Sequence, residues 1–568
     1  VAVSVSHEER KITEQVSKER MWGDLLEFVK FERLSGTEDD HKASAFIVQR
    51  LQDHGVPVTV YEHPAYVSFP IHSALQVTTP ETRTFKTLTH SFSPTTPAGG
   101  ITGELVLVGT GLPQEYEGVD VRGKIALVDQ LATPERAIVA EMRGAIGAVF
   151  VSQEHVLHNM IMTTIWGTPS RDQLERLPHM PGVSVVKADG TYLQRLLGQG
   201  PVTVRLEAET WTGWKTLKLP VVDIPGPDGT FLLVAGHYDS WHYGATDNGT
   251  GDMCLLELAR LFWDNRHLLR RGVRVAWWSG HSHGRYAGST WYADNFWEEL
   301  DARCVGLLNV DNPGCRAGTM YFPTALHDLD GLVKETVKAV VNQDAPVVLP
   351  SKFADESFWG LGFPSFALYV ELPPNHPDRG EVGGSAQGWW WHSTEDLLEY
   401  CDKDLLGLDT QVHVDAIHRY CSAAVLPYDL EHTAHKVLEK LDQLAGKAGG
   451  RFDLSRARDW AERYGRAARL VREAAMSAGL DPMKANEGMM KATRAVNPAI
   501  YTRAGRFAHD YTVPTPLLPG LEDLDRLPGL ARGSDEERFT LTKLTRERNR
   551  LVDGLKRGAL ALERVVGG

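Results

Sequence analysis

Between Phe231 and Gly251 the chain reads FLLVAGHYDSWHYGATDNGTG, and this stretch limits the possible fold more than any other. The apolar run Phe231 to Ala235 has the length of a strand buried on both faces, as in a parallel sheet covered by helices. The run ends at Gly236 and delivers His237, Tyr238 and Asp239 to its C-terminal end. In open α/β sheets that edge is where ligands bind. Further on, Asp247 lies in the turn Thr246-Asp247-Asn248-Gly249, and from Met253 to Phe262 apolar residues recur at helical spacing. One strand end thus offers an imidazole and the next helix entrance a carboxylate, a first pair of metal ligands. A buried histidine and an N-cap aspartate give the same pattern without any metal, so the rest of the chain has to decide.

With 568 residues the chain is too long for one hydrophobic core. A net charge of -14 argues against nucleic acid or an anionic membrane as partner. The five cysteines, Cys254, Cys304, Cys315, Cys401 and Cys421, form no C-x-x-C pattern, which fits free thiols in a reducing compartment. The first residues, VAVSVSHEERKITEQ, lack the apolar centre of a signal peptide, and no apolar run is long enough to span a bilayer. The expectation is a cytoplasmic protein.

Residues 8 to 30 carry helical spacing, and a second helix capped by Ser35 or Thr37 runs to Leu51. A short strand follows at Val58 to Val60. From Thr78 to Thr212 the texture changes to short strands and turns, including Val121-Arg122-Gly123-Lys124-Ile125-Ala126-Leu127-Val128 and Gly144-Ala145-Ile146-Gly147-Ala148-Val149. These pieces resemble the protease-associated domain, which usually lies over an active site. Strands then alternate with helices: Val273 to Trp278, Cys304 to Val310 and Ser365 to Tyr369 are further buried strands. From Glu431 onward Val437 to Leu444, Leu454 to Ala478 and Glu536 to Val566 have helical periodicity, with a Pro/Gly-rich connection from Val513 to Gly529. The predicted fold is a doubly wound, mostly parallel α/β domain (1–77 and 213–430), with an inserted β-rich domain (78–212) and a helical, dimer-forming region (431–568).

If the strands are parallel, four element ends bring His237, Asp247, Asp311 and His392 to one edge. With HYDSWHYGATDNGTG as its most specific block, the chain resembles the M28 family of metallopeptidases. Its domain order looks like that of glutamate carboxypeptidase II and the transferrin receptor. The resemblance implies a first metal on His237, Asp247 and Asp311, and a second on the bridging Asp247, a Glu and His392. It implies that Asp239 orients the imidazole, and that the Asp247–Asn248 peptide is cis. A bridging carboxylate neutralises two cations about 3.5–4 Å apart, which together polarise a carbonyl and activate water.

One motif departs from that pattern. Where family peptidases carry a Glu-Glu pair, general base and metal ligand, this chain reads Gly280-His281-Ser282-His283-Gly284-Arg285-Tyr286-Ala287-Gly288-Ser289. Either His281 and Ser282 or Ser282 and His283 take the two places. A histidine can act as base or as nitrogen ligand, which widens the choice of metal from Zn to Fe, Ni or Cu, one or two per chain. Arg285 and Tyr286 are candidates to bind a substrate carboxylate. Trp391 offers an aromatic wall, and Glu356 is a reserve carboxylate. The leading expectation is a metal-dependent hydrolase of an amide bond in a small peptide or N-acyl amino acid, with His281 as base. The alternatives are a non-hydrolytic metalloenzyme, lyase or redox, and an inactive binding protein of the same fold.

Overall fold

The computed structural model describes residues 12–351, 354–381, 383–477 and 479–567. Its strands in chain order are β1 (Thr59–Thr79), β2 (Arg83–Phe85), β3 (Leu88–Thr89), β4 (Ile101–Leu107), β5 (Ile125–Val128), β6 (Gly147–Val151), β7 (Gly182–Val185), β8 (Thr203–Ile224), β9 (Phe231–His237), β10 (Gly272–Trp278), β11 (Cys304–Asn309), β12 (Met320–Ala325) and β13 (Ser365–Glu371). They hydrogen-bond in the order β12-β13-β11-β9-β10-β8-β4-β5-β6-β7-β3.

The half from β12 to β8 carries the stretch that opened the sequence analysis. β10, β9, β11 and β13 run parallel to one another, and β8 and β12 flank them as antiparallel neighbours. Every residue of β9, β10 and β11 is buried, as uninterrupted apolar runs require of strands covered on both faces. Their register pairs Ala235 with Ala276 and with Asn309. The chain therefore leaves β9 at His237, β10 at Ser279 and β11 at Asp311 along one edge.

Residues 8–11 of the expected first helix lie outside the described residues; Ile12 and Thr13 are helical, a turn follows, and the helix Lys18–Phe28 is N-capped by Ser17. Glu38–Asp53 follows, capped by Thr37, whose side chain accepts from the Asp40 amide. The strand expected at Val58–Val60 is the start of a much longer one. β1 pairs with β8 from Thr59–Val221 to Thr79–Thr203, with an irregularity between Pro70 and His72. This antiparallel ribbon leads into the second sheet half, where β4, β5, β6 and β7 are parallel.

After β13 come the helices Lys403–Ser422, Leu430–Lys447, Ser455–Met476, Pro482–Tyr501 and Asp535–Val566. The fourth had no sequence expectation of its own. Asn486, Gly488 and Pro498 dilute its apolar spacing, although Asp481 caps it and Pro482 starts it. The stretch Val513 to Gly529 buries Leu518, Leu521, Leu524 and Leu527 against the helices. One hydrophobic cluster runs without a break from Val234 and Leu308 in the sheet to Leu441, Tyr464, Val496 and Leu555 in the last helices.

Candidate metal centre

His237 ends β9 and is nearly fully buried. Its Nδ1 lies 2.8 Å from the Asp239 carbonyl oxygen. A carbonyl only accepts, so Nδ1 carries the proton and Nε2 presents a lone pair. That Nε2 faces Asp247 Oδ1 at 3.2 Å and Asp311 Oδ1 at 3.7 Å. His392 repeats the device: Nδ1 donates to the Asn159 carbonyl at 2.8 Å, and Nε2 faces Asp247 Oδ2 at 3.2 Å. With neutral rings two imidazole lone pairs would thus point at the two oxygens of one carboxylate, a place that a proton or a metal ion has to fill. Acceptor facing acceptor is unfavourable unless positive charge lies between them. Burial disfavours the charged His237 imidazole, but bonding to Asp247 and Asp311 outweighs it and holds the pKa well above its usual value. Burial also opposes the charge of Asp247, yet the two histidines hold its pKa well below the carboxylate range.

The spacing fits a divalent transition metal. Ligands about 2.0–2.1 Å from one ion at tetrahedral angles lie about 3.3 Å apart. His237, Asp247 and Asp311 offer three ligand atoms within 4.8 Å of one another. Among the described residues no such group of three includes His392. The chain therefore supplies three donors on the His237 side of Asp247, and Asp247 with His392 on the other.

The surrounding turns are built to hold these groups. The Asp247–Asn248 peptide is cis. The Asn248 amide donates to the carbonyls of His237 and Val310, and its Oδ1 accepts from the Asn312 amide, so one side chain ties the ends of β9 and β11 together. Asp396 accepts from the Thr246 amide, the Thr246 hydroxyl and the Asp247 amide. His242, Arg285, Tyr286, Asn312 and His392 all have positive φ, a conformation non-glycine residues adopt rarely and mostly where surroundings enforce it.

The turn after β10 separates its two histidines. His281 stacks on His237 with ring centroids 3.7 Å apart, and its Nδ1 lies 2.8 Å from Asp355 Oδ2. Asp355 is held in turn by the Ser289 hydroxyl at 2.7 Å. His283 sits in an aromatic slot, 4.6 Å from Phe69 and 4.3 Å from Trp241. Its Nδ1 meets Ser35 Oγ at 3.1 Å, and burial pushes its pKa down to about 3. Asp239 touches both neighbourhoods differently from the expectation. Its backbone carbonyl orients His237, while its carboxylate accepts from the amides of His281 and Ser282 and from Ser35 Oγ.

Tyr286 packs against His281 at 4.8 Å and Trp166 at 4.3 Å. Arg285 lies over the Tyr286 ring, and its Nε donates to Thr512 Oγ1. Among the described residues no carboxylate comes within ion-pair distance of Arg285, and burial lowers its pKa. Trp391 stacks on His392 at 3.6 Å. Glu356 turns away from the ligands: its carboxylate accepts from Trp359 Nε1 and from Ser365 Oγ.

Sequence reasoning assigned no role to Asp355, Asp396, Asn248 or Asn159. Asn248 lies in the turn Thr246-Asp247-Asn248-Gly249, Asp355 adjoins Glu356 and Asp396 follows His392 by four residues, so an unassigned amide or carboxylate near a singled-out residue was the available signal. Asn159 gave none, being 233 residues from the histidine it holds.

Residues 221–416 match the model of peptidase family M28, and residues 101–193 that of the PA domain. The fold is thus an α/β sheet of the M28 type with an inserted PA domain. The chain is 22% identical over 388 residues to the probable glutamate carboxypeptidase AMP1 of Arabidopsis thaliana, covering 56% of this chain and 54% of that protein. It is 26% identical over 428 residues to aminopeptidase YwaD of Bacillus subtilis, covering 71% and 85%. The solved structure of BSAP, a zinc aminopeptidase from Bacillus subtilis, superposes with a TM-score of 0.53 at 20% identity, over 72% of this chain and 95% of that one. The chain spans about half the length of several curated relatives it matches.

Proposed function

We propose that this protein is a metal-dependent hydrolase of an amide bond in a small peptide or N-acyl amino acid. The observation that carries the reading is Asp247, whose two oxygens each stand 3.2 Å from Nε2 of a different histidine, the Nδ1 of each ring being committed to a backbone carbonyl. The zinc aminopeptidase among the structural neighbours supports zinc as the metal. His237, Asp247 and Asp311 would hold a divalent ion, which when bound would supply Lewis-acid activation of a carbonyl and of water. His392 and Asp247 would hold a second ion more weakly, since no further donor joins them among the described residues.

The chain's own residues do the rest. His281 stands beside the centre with Nδ1 pinned by Asp355, leaving Nε2 to accept a proton from water and return it to the leaving amine. A carboxylate-oriented imidazole would thereby do the work the family assigns to a glutamate. Arg285, half-buried and with no carboxylate partner among the described residues, suits the carboxylate of an amino acid, and Tyr286 and Trp391 supply flat walls. His283, walled off by Phe69 and Trp241, serves in this reading as a strut for the turn.

A second reading, a single-ion non-hydrolytic centre, draws on the absence of a carboxylate from residues 280–289. One experiment separates the two. The zinc-loaded protein is incubated with dipeptides and N-acyl amino acids, and products are identified by mass. Release of free amine with uptake of one water supports hydrolysis. No amine above background with zinc, cobalt or manganese would sink it.

A further inference from the structure

A second group of metal-type donors lies away from this site, where the helical region meets the sheet domain. His327 opens a short turn, Asp330 begins the helix Asp330–Val341, and His432 lies in the first turn of the helix Leu430–Lys447. Their ligand atoms all fall within 4.8 Å of one another. His432 Nε2 is 2.9 Å and His327 Nδ1 3.4 Å from the same oxygen, Asp330 Oδ2. The rings stand at 85° with centroids 5.9 Å apart, so both nitrogens converge on one carboxylate without stacking.

Three details argue for a cation rather than a plain hydrogen-bonded trio. The other oxygen, Asp330 Oδ1, is buried and has no hydrogen-bond partner. A buried carboxylate oxygen left bare is costly, and such atoms are rare in native proteins. The neighbouring carboxylate, Asp328, is by contrast fully engaged by Thr433 and Asn497, so the local fold knows how to satisfy an aspartate. The donor spacing of 2.9 and 3.4 Å brackets the separation of about 3.3 Å that two ligands of one tetrahedral ion adopt. There is also a way in: a surface cavity of about 480 Å³ is lined by His432 and His435, and the His432 side chain is 29% exposed.

We propose that His327, Asp330 and His432 form a second divalent transition-metal site, structural in role, that staples the C-terminal helices to the sheet domain. Two nitrogens and one carboxylate oxygen suit zinc, cobalt, nickel or copper rather than magnesium or calcium, with water completing the shell. The ion joins residues 102 positions apart across a domain junction. It therefore acts on how the two parts are held and takes no part in chemistry at Asp247.

Cobalt(II) is the probe. Full-length wild type and His432→Ala are titrated with cobalt, and bound metal per chain is counted by elemental analysis while visible absorption is followed. The expected result is one ion fewer in His432→Ala, with loss of the matching absorption band and of the Tm rise that cobalt gives the wild type. Asp330→Asn repeats the loss. Equal counts in wild type and His432→Ala would overturn the proposal and leave an ordinary hydrogen-bonded trio. The count is a difference between two proteins, so it reads this site whether or not the centre at Asp247 is loaded. His432 is partly exposed on the first turn of its helix, so the fold does not depend on it.

Discussion

At the scale of single residues, the turn after β10 is marked by two histidines, His281 and His283, with no carboxylate from Gly280 to Ser289. His281 is useful as a base only if one nitrogen is fixed and the other free, and Asp355 does the fixing. Asp355→Asn can still accept through its amide oxygen, but it no longer stabilises the imidazolium. We expect kcat to fall on the order of 10²-fold or more, with metal content unchanged. A variant that loses metal in proportion to activity would show Asp355 to be part of the scaffold instead. His392→Ala should behave in the opposite way, lowering bound metal and activity together; unchanged values for both would remove His392 from the centre. The sequence displayed His237, Asp247, Asp311 and His392 as a set because each sits at the end of a recognisable element. It could not choose between His281 and His283. Both are single histidines in one turn, and only the neighbours, His237 and Asp355 for one, Phe69 and Trp241 for the other, tell them apart.

At the scale of elements, the parallel strands were plain in the sequence, since each is a continuous apolar run ended by glycine or a polar cluster. The long ribbon of β1 and β8 was not. Pro64 and Pro70 interrupt the first strand and much of the second is exposed, so alternation is blurred and pairing over long range has to be seen in three dimensions. The turn after β9 shows how tightly an element can be specified. A Cβ on Gly251 would meet Asn248 Oδ1 at 2.0 Å, and Asn248 is the clasp between β9 and β11. Gly251→Ala should therefore cost about 1–3 kcal/mol by overpacking and reduce metal binding at the same time. Thermal unfolding and metal analysis of that variant check this. A stable protein with full metal content would mean that the turn can yield.

At the scale of the whole molecule, the continuous core makes the last helices part of the fold rather than an appendage. Removing residues 431–568 would uncover the sheet-side partners of Val437, Leu441, Tyr464 and Val496, so we expect insoluble protein. A soluble, well-folded fragment in sedimentation would refute that. Self-association through this region, and residence in the cytoplasm, stay as proposals that mass in solution and cell fractionation can examine. Among the described residues no helix is long and apolar enough to cross a membrane.

Acid stability is also a property of the whole. Burial pushes the pKa of His413 down to about 4 and that of His90 to about 3. Each is neutral when folded and takes up a proton on unfolding below its usual value of 6.5. Their stabilising contribution is present above pH 6.5 and is lost as pH falls through 4 and 3. Asp328 and Asp409, raised by burial to about 6, work in the other direction between their usual 3.8 and 6. A comparison of variants isolates one group. Between pH 6.5 and 4, His413→Gln should lose roughly 2–3 kcal/mol less stability than wild type, read from urea midpoints. Identical pH slopes would mean that His413 is already protonated in the fold.

The bond from His392 to Asn159 carries a consequence of its own. His392, a ligand in the proposed centre, is steered by a carbonyl of the inserted domain, and the same loop is held again where the Asn159 amide donates to the His392 carbonyl and His158 to that of Trp391. The two domains therefore share one thermodynamic cycle. Whatever docks on the inserted domain and shifts this loop changes the affinity for the ion. By reciprocity, the ion changes the affinity for what docks, and by the same factor. The insertion is then less a cover over the site than the other end of a lever.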